Sequence, residues 1–435
     1  MSASALRVGI AGLGTVGAGT VRLLRVNSDL IAARAGRPVV VTAVSARERH
    51  RERGIDVSDL AWHADPVALV SDPDVDVVVE LIGGAEGPAA RVVEAALSAG
   101  KPVVTANKAL IAVHGARLAA AAERAGVALA FEAAVAGGIP VIKALREGLA
   151  ADRLRRVGGI LNGTCNYILT AMRETGRDFG VILAEAQALG YAEADPSTDV
   201  DGIDAAHKLA ILAALAFGRP VDFASVHVEG IRRIGAADIG FARELGYRIK
   251  LLGIARHTAE GVEARVHPCL VPETAPIALV DGVFNAVVAE GDFVGRVMLE
   301  GRGAGAGPTA TAVVADLIDV ARGSLVPVWG AWQAALFEQT SVPMSSHRGD
   351  YYLRLTVLDR PGVIAEIAAV LRDCGVSLKS MLQHGRAATG TSDEAVALVL
   401  VTHETEERSM MEVVGRLSGL DVVVEAPAMI RIEPG

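Results

Sequence analysis

The sequence predicts an α/β protein of three domains, and three observations along its 435 residues indicate this fold. Short apolar strands alternate with helices over residues 1–132, as in a parallel sheet that helices cover on both faces. Residues 133–340 mix helices with alternating strands, which indicates an α+β domain. After a segment with the composition of a linker, 340–350, residues 351–435 read strand, helix, strand, strand, helix, strand, the order of a ferredoxin-like domain.

The composition limits the classes of protein to which the chain can belong. Hydrophobic residues make up 51% of the chain, and 47 glycines suit an α/β enzyme with short turns between strands and helices. The net charge of −9 gives no reason to expect nucleic acid as a partner. Cys165, Cys269 and Cys374 lie far apart, which argues against a zinc site or a disulfide framework. The N-terminus enters a strand directly and no uncharged stretch could span a bilayer, so we expect a cytoplasmic protein without a membrane partner.

A glycine-rich turn, GLGTVG, follows the first predicted strand, residues 6–11, and precedes an apolar helix. Its first glycine permits a tight turn, its second lets a pyrophosphate approach the backbone, and its third packs the helix on the strand. In this context the motif predicts a Rossmann-type dinucleotide-binding domain, residues 1–132. The residues of this glycine turn, all expected to contact the cofactor, are Gly12, Leu13, Gly14, Thr15, Val16 and Gly17.

The end of the second predicted strand, residues 39–45, selects the type of dinucleotide. An acidic residue there would bind the ribose hydroxyls of NAD, but the chain carries Arg47 in a charged run instead. Because arginine suits a 2′-phosphate, the sequence favours NADP as the cofactor. The alternative is a solvated charged loop, which leaves NAD open.

Two further segments are expected beside the cofactor. Thr105 ends the predicted strand 102–105 and Lys108 follows in the turn after it, at the carboxyl edge of the sheet, where open α/β sheets bind ligands. A second glycine turn, 301–307, leads into a predicted helix, 308–322. That turn either brings backbone close to the cofactor or packs the helix on the first domain, which the helix would complete.

Residues 190–212 combine an acidic turn with an apolar helix that bears one lysine. Asp204 and Lys208 are four residues apart and therefore share a helix face. The apolar run after Lys208 is expected to draw its ammonium into the protein, where neighbouring carboxylates keep it protonated and able to deliver a proton. The alternative is an ordinary surface salt bridge. The carboxylates of the turn, which suit an amino group or a metal, are Glu193, Asp195, Asp199, Asp201 and Asp204.

Two other turns carry polar groups. Glu132 and the carbonyls around Val135 and Gly137 could close on a small cation, although a structural turn explains these residues equally well. The turn formed by Asn162, Gly163 and Thr164 offers polar groups and free amides at the start of a predicted helix, 166–173.

With these pieces placed, the chain resembles the homoserine dehydrogenase family over essentially its whole length, in the monofunctional form without a preceding aspartate kinase. The resemblance implies reversible NAD(P)-dependent oxidation of L-homoserine to L-aspartate 4-semialdehyde, in threonine, isoleucine and methionine biosynthesis. The C-terminal domain resembles an ACT domain through LDRPGVIAEIAAVL. The matching stretches, in order, are GLGTVG, TANKALI, FEAAVAGGIPVI, LNGTCNYIL, LGYAEADPSTDVDGIDAAHKLAIL and GRGAGAGPTA.

The resemblance also implies roles for individual residues. Lys208 matches the general acid/base, and Lys108 matches the lysine beside it, in contact with the cofactor and the reacting oxygen. Glu193 and Asp204 match the carboxylates that hold the substrate amino group, and the expected substrate-binding set is Glu193, Asp204, Asp199 and Thr164. Backbone positions along the cofactor are Gly190 and Gly307, and those of a sodium site are Glu132, Val135, Gly137 and Ile139. Cys165 is a departure, because many relatives have Thr or Ser there.

The ACT resemblance implies an effector, with threonine expected, bound between copies of the domain in a homodimer or homotetramer. The alternative is a dimerisation domain without a ligand. Two rival functions fit the sequence less well. Another NADP-linked oxidoreductase, such as an aspartate or aspartate-semialdehyde dehydrogenase, is one, but the latter needs a thiol nucleophile and Cys165 has no histidine near it in sequence. The other is a nucleotide-sensing regulator without catalysis, against which Lys108 and Lys208 argue.

Overall fold

The computed structural model describes residues 4–383 and 395–434. Its first part is a six-stranded sheet in the order β3-β2-β1-β4-β5-β6, with every neighbouring pair of strands parallel. This order and direction confirm the predicted Rossmann-type fold. The elements are β1 Leu6–Ala11, α1 Thr15–Val26, α2 Ser28–Ala35, β2 Val39–Ser45, β3 Ala61–His63, α3 Pro66–Val70, β4 Val77–Glu80, α4 Pro88–Ser98, β5 Val103–Thr105, α5 Lys108–Ala125 and β6 Leu129–Ala130.

In the middle part, helices pack against the strands of a second sheet. A π-helical turn, Ala144–Gly148, extends the short helix α6. The helices and strands of this part are α6 Val141–Lys143, β7 Leu154–Ile160, α7 Gly163–Thr175, α8 Phe179–Ala188, α9 Ser197–Val200, α10 Ile203–Phe217, β8 His227–Val228, α11 Ala236–Glu244, β9 Tyr247–Thr258, β10 Gly261–Pro272, β11 Phe284–Gly291, β12 Gly295–Arg302 and α12 Ala306–Ala321.

Helix α12 returns to the first sheet after the whole middle part. Val313 and Leu317 are fully buried in the same apolar core as Val8 and Ile10 of β1. The helix begins two residues before the predicted 308–322 and packs against α1, as the domain-completing interpretation requires. The domain boundaries themselves stay predictions.

The C-terminal part has the predicted strand and helix order. Its principal strands lie in the antiparallel order β17-β13-β15-β14, which is that of a ferredoxin-like sheet. The sequence pattern predicts the two middle strands over residues 376–384 and 394–403, and His384 and Glu394 of these strands lie outside the described ranges. The elements are β13 Arg348–Leu358, α13 Val363–Asp373, β14 Leu378–Gln383, β15 Ala395–Thr402, β16 Thr405–Glu406, α14 Glu407–Ser418 and β17 Ala428–Ile432.

The C-terminal part is joined to the middle part more closely than a linker would allow. Strand β17 pairs in parallel with β10, so a single sheet runs in the order β12-β11-β7-β9-β10-β17-β13-β15-β14. Within 340–350, the predicted linker, the amide of Val342 donates to the carbonyl of Val262 at 2.8 Å, and His347 is buried. The linker prediction is therefore wrong, because this segment is docked along β10 and leads directly into β13.

The helices of the described residues, 4–383 and 395–434, include none with both the length and the apolar composition that crossing a bilayer requires.

Candidate active site

The glycine turn has the geometry that its motif predicts. Gly12 has a φ of +103°, and a Cβ atom there would lie 2.5 Å from the backbone carbon of Leu81. A Cβ on Gly17 would lie 2.2 Å from the carbonyl oxygen of Gly12, so helix and turn touch through bare backbone. At Gly14 the same atom would meet open space. No side chain among the described residues caps the start of α1, which leaves its first amides for a phosphate, and this arrangement fits a bound dinucleotide.

A cleft of about 420 Å³ lies beside this turn and is lined by Arg22, Arg51 and Arg53. Arg53 lines the cleft and donates from Nε to the carbonyl oxygen of Leu13 at 3.0 Å. Its guanidinium carbon also lies 5.5 Å from the centre of the Trp62 ring. Arg47 is exposed and has no hydrogen-bond partner within the described part of the chain. Sequence reasoning did not single out Arg53, because the loop that returns it to the turn has no motif.

A second cleft, of about 590 Å³, lies between the first sheet and the middle part, and we call it the central cleft. It brings together residues that are far apart in sequence, from both ends of the first domain and from the acidic turn. The predicted site residues that line it are Val16, Lys108, Gly137, Thr164, Gly190, Asp199, Asp204 and Lys208.

Two lysines meet at one carboxylate in the central cleft. Lys208 Nζ lies 2.7 Å from Asp204 Oδ2, and Lys108 Nζ lies 2.8 Å from Asp204 Oδ1. Lys208 also donates to the carbonyl oxygen of Leu161 at 2.7 Å. The side chain of Lys108 is 40% exposed, whereas that of Lys208 is 10% exposed. The site therefore holds one lysine that faces the cleft openly and one that is largely buried.

The local sequence explains why these groups are arranged in this way. Gly202 takes a left-handed conformation and starts α10, so Asp204 falls in the first turn, where the helix dipole favours an anion. The apolar residues after Lys208 bury α10 and take the lysine inward with them. Asn107 caps the start of α5 by accepting the amide of Leu110 at 3.1 Å, which fixes the first residue of that helix, Lys108.

Burial and neighbouring charges shift the pKa values of the two lysines in opposite directions. Burial lowers the pKa of Lys208 below its ordinary value, and the charge of Asp204 offsets this only in part. Burial also acts to lower the pKa of Lys108, but the negative charges of Asp204, Asp199 and Glu193 outweigh it and raise that pKa. The lysine pair thus contains one permanent cation and one group that releases its proton more readily.

The carboxylates respond to the same environment. Burial acts to raise the pKa of Asp204, but the two lysines hold that pKa well below its ordinary range. Burial raises the pKa of Asp199, and a hydrogen bond from Asn162 acts against the rise. Asn162 was noted from sequence only as a polar residue of a turn, and its link to both carboxylates is a long-range contact that sequence reasoning missed.

The rim of the central cleft holds the other predicted substrate and cofactor residues. Thr164 donates its hydroxyl to the carbonyl oxygen of Tyr191 at 2.8 Å, which ties the start of α7 to the acidic turn. Gly190 has a φ of +76° and no atom where a Cβ would lie. Glu193 is exposed on the same turn. Gly307, in the first turn of α12, also faces open space at its Cβ position.

Thr105 is buried at the edge of the first sheet, where its hydroxyl makes two hydrogen bonds within the protein. Its hydroxyl donates to Glu80 Oε2 at 2.6 Å and accepts from the amide of Asn107 at 3.0 Å. Glu80 in turn accepts the amides of Ile82 and Gly83. Thr105 therefore orders the turn before Lys108, the first residue of α5. Its hydroxyl is bonded to Glu80 and to the amide of Asn107.

The predicted sodium residues lie in one turn after β6. Glu132 is buried, and its carboxylate accepts the amides of Ile142 and Lys143, each at 2.9 Å. Burial and the nearby charge of Asp316 raise the pKa of Glu132 to about 7. The described residues contain no cluster of three or more His, Cys, Asp or Glu side chains that could hold a metal. Val135, Gly137 and Ile139 would contribute carbonyl groups, so the sodium site stays a prediction.

Cys165 offers no support for thiol catalysis. It is fully buried, its Sγ atom lies 3.2 Å from the carbonyl oxygen of Asp199, and burial raises the pKa of the thiol well above its ordinary value. A catalytic thiol needs the opposite, an accessible sulfur with a lowered pKa.

A dinucleotide-type sheet whose glycine turn stands beside a cleft with a proton-releasing lysine defines a class of protein. The class is the NAD(P)-dependent oxidoreductases, in which protein side chains move a proton while the cofactor carries a hydride. The comparisons with known proteins place the chain more narrowly. A model of the homoserine dehydrogenase NAD-binding domain matches residues 12–132, and a homoserine dehydrogenase model matches residues 140–318.

Whole-length relatives agree with these matches. Homoserine dehydrogenase of Pseudomonas aeruginosa is 48% identical over 98% of this chain and 99% of its own length. The crystal structure of a homoserine dehydrogenase from Thiobacillus denitrificans superposes with a TM-score of 0.94 at 46% identity and covers 100% of both chains. A hyperthermophilic archaeal homoserine dehydrogenase in complex with NADPH covers 72% of this chain and 97% of its own, with a TM-score of 0.62 at 27% identity.

The chain belongs to the homoserine dehydrogenase family. It is an NAD(P)-dependent oxidoreductase that acts on a CH–OH group, which confirms the class and the family expected from the sequence.

Proposed function

We propose that the central cleft interconverts L-homoserine and L-aspartate 4-semialdehyde, with Lys208 and Lys108 as its catalytic residues. The observation that carries the proposal is the pair of lysines on the two oxygens of Asp204, beside the glycine turn. Hydride transfer to an aldehyde develops negative charge on its oxygen, and two ammonium groups are suited to stabilise that charge. The names of the relatives supply the substrate pair.

The two lysines divide the work according to their pKa shifts. In the reducing direction the Nζ atom of Lys208 gives its proton to the developing alkoxide, and in the oxidising direction it takes the proton back. Lys108, whose pKa is raised, remains charged and stabilises the oxygen throughout. The nicotinamide, when bound, supplies or accepts the hydride. Loss of the proton costs Lys208 less than it costs an ordinary lysine because the group is buried.

The substrate ammonium needs carboxylates that the lysines have not already used. Both oxygens of Asp204 face a lysine, so its negative charge acts on the ammonium at longer range. Asp199 has one oxygen bonded to Asn162, and its other oxygen has no partner among the described groups of the cleft. Glu193 is exposed on the acidic turn above. We assign the ammonium to Asp199 and Glu193, with Asp204 behind them and Thr164 at the rim.

The cofactor is proposed to lie along the glycine turn, with its pyrophosphate at the start of α1 and its nicotinamide towards Gly190 and Gly307. The open space at Gly14 supports this placement. Arg47 supports NADP through its position after β2, and the archaeal relative was solved with NADPH. NAD stays the alternative.

Regulation and assembly are proposed from the C-terminal part. We assign to it an ACT-type role, with threonine as effector and a second copy of the chain beside it in a homodimer or homotetramer. Strand β14 supports this, because it ends the long sheet within the described residues and exposes Leu378 and Met381. An uncovered edge strand can pair with another chain. The proposed pathway is threonine, isoleucine and methionine biosynthesis.

The test is reduced-nicotinamide absorbance with L-homoserine and NADP or NAD, and in reverse with L-aspartate 4-semialdehyde, each with and without threonine. Homoserine-dependent reduction is the expected result, and Lys208→Met should lower kcat by about 10²–10⁴-fold while cofactor binding persists. Arg91→Met, at an exposed cation of α4 that lines neither cleft, is the control and should keep full activity. If neither cofactor is used in either direction but both bind, the chain is a dinucleotide sensor instead.

A further inference from the structure

We propose that Asn162 is a positioning residue that holds Asp199 and Asp204 in the geometry that receives the substrate ammonium. The proposal rests on the proposed function of the central cleft and adds to it a residue that lines the cleft and acts through two carboxylates. Its evidence is a set of three hydrogen bonds made by one buried amide.

The amide of Asn162 joins two carboxylates from different elements. Its Nδ2 atom donates to Asp199 Oδ1 at 2.7 Å and to Asp204 Oδ2 at 2.9 Å. Asp199 belongs to the short helix α9, whereas Asp204 belongs to α10. Because one NH₂ group has two hydrogens, both are used, and the amide fixes the distance between the two carboxylates.

The other end of the same amide fixes the position of Asn162 itself. Its Oδ1 atom accepts the amide of Cys165 at 2.8 Å and thereby caps the start of α7. The side chain is almost completely buried, so water cannot replace these bonds easily. The cap fixes the amide on helix α7, and the bonds from the amide then fix the two carboxylates relative to that helix.

The electrostatic setting explains why an amide suits this position. Asp199 and Asp204 repel each other, and the groups that face Asp199 are Asp204 and Lys208 of α10, Lys108 of α5, and the buried thiol of Cys165 in α7. Burial and Asp204 raise the pKa of Asp199, and the Asn162 bond lowers it. A neutral donor therefore helps keep Asp199 ionised without bringing in a further charge. An ionised Asp199 is what an incoming ammonium requires.

Serine at this position separates the two tasks of Asn162. Asn162→Ser keeps a good helix cap but loses the amide hydrogens that reach the carboxylates. Asn162→Ala loses both. Asp65→Ala, which removes the cap of α3 at a residue that lines neither cleft, is the matched control for the loss of a cap alone.

We expect Asn162→Ser to fold like the wild type and to raise KM for L-homoserine by about 10- to 100-fold, with KM for the cofactor nearly unchanged. The acidic limb of the pH profile of kcat/KM for homoserine should move to higher pH, because Asp199 then takes up a proton more easily. Asp65→Ala should lower Tm without changing either quantity.

The outcomes separate this inference from the proposed function. An inactive wild type would overturn the proposed function itself. An active wild type whose Asn162→Ser variant keeps the same homoserine KM and the same acidic limb would overturn the positioning role alone. A fall in Tm for Asn162→Ala with unchanged kinetics would show that the residue is only a helix cap.

Discussion

In helix α10, the Nζ atom of Lys208 lies 2.7 Å from the Oδ2 atom of Asp204, one helical turn earlier in the chain. The side chains of both residues are largely buried, at 10% and 4% exposed. A buried ion pair of this kind is poor evidence for stability, since removing the charges from water costs free energy. Its value here is electrostatic, because the carboxylate lets a buried lysine keep a proton until a substrate oxygen needs it.

Removing the charge of Asp204 should impair catalysis through the lysines. In Asp204→Asn both ammonium groups lose their nearest anion, so the pKa of Lys208 should fall further and less of the residue should be protonated. We expect kcat in the direction of aldehyde reduction to fall by about 10²-fold or more. Asp195→Asn, at an exposed carboxylate of the same acidic turn, is the control and should stay within about twofold of the wild type.

The pH dependence of the two directions should be opposite in sign. Aldehyde reduction needs protonated Lys208, so its kcat should fall as the pH rises through the pKa of that residue. Homoserine oxidation needs neutral Lys208, so its kcat should rise over the same range. Since burial lowers this pKa, both changes should occur below the ordinary lysine pKa of about 10.4.

Steady-state rates measured in both directions with saturating substrates would check this prediction. Lys208→Arg provides the comparison, because arginine does not lose its proton in this range. Its residual rate should lack the basic limb in the reducing direction. An unchanged limb in that variant would assign the titration to another group.

The glycines of the first turn should separate folding from cofactor binding. Gly12→Ala places a Cβ 2.5 Å from backbone at a φ of +103°, so it should destabilise the fold by about 1–3 kcal/mol or more. Gly14→Ala meets open space and should leave the free energy of unfolding within about 0.5 kcal/mol of the wild type. Its new methyl group lies where a pyrophosphate would approach, so we expect cofactor Kd to rise about 10- to 100-fold.

Urea unfolding of the protein without cofactor, followed by a cofactor titration, would measure both effects. The prediction fails if Gly14→Ala binds the cofactor as tightly as the wild type does.

The features that could be predicted from sequence are those encoded locally. The Asp204 and Lys208 pair follows from a spacing of four residues, and the glycine turn follows from a motif six residues long. Asn162 and Asp199 are 37 residues apart, and Arg53 and Leu13 are 40 apart. No helical or strand period links positions at such distances, so only the folded chain shows these contacts.

The sequence pattern also does not predict how the middle part is joined to the C-terminal part. Strands β10 and β17 pair over two residues only, Cys269 with Arg431 and Leu270 with Ile432. Each strand looks like an ordinary strand in sequence, and the polar residues before β13 look like a linker. Tertiary pairing, together with buried charges on facing strands, decides the actual arrangement.

Substitution of Arg47 and of Arg53 should change the preference between NADP and NAD differently. If Arg47 binds a 2′-phosphate, Arg47→Ala should raise KM for NADP by about 10- to 100-fold and leave KM for NAD unchanged. Arg53→Ala removes the bond to the carbonyl oxygen of Leu13 and should weaken both cofactors alike. Initial rates with each cofactor would measure the ratio. If KM for NADP rises selectively in Arg53→Ala and does not change in Arg47→Ala, then Arg53 rather than Arg47 binds the 2′-phosphate.

Arg431 should prove to be the strongest link between the C-terminal part and the rest of the chain. It is 1% exposed and donates from Nη1 to Glu229 Oε2 at 2.9 Å and from Nε to Glu407 Oε2 at 2.9 Å. Glu229 belongs to the middle part and Glu407 begins α14, so one guanidinium holds both. Arg431→Met leaves the buried carboxylate of Glu407 without its cation and with only the Tyr351 hydroxyl as a side-chain donor among the described residues, and we expect a loss of about 3–5 kcal/mol in the free energy of unfolding.

Arg408→Met is the matched control, because that arginine is 75% exposed and pairs with Glu406 at the surface. Its cost should stay below about 1 kcal/mol. Denaturant unfolding measures the difference, and limited proteolysis shows where the chain loosens, with Arg431→Met expected to open between the middle and C-terminal parts. Equal costs for the two variants would mean that the β10 and β17 pairing and the apolar core hold the junction without this arginine. The buried charges there would then add little net stability, as replacement of buried ion pairs by apolar residues shows in some other proteins.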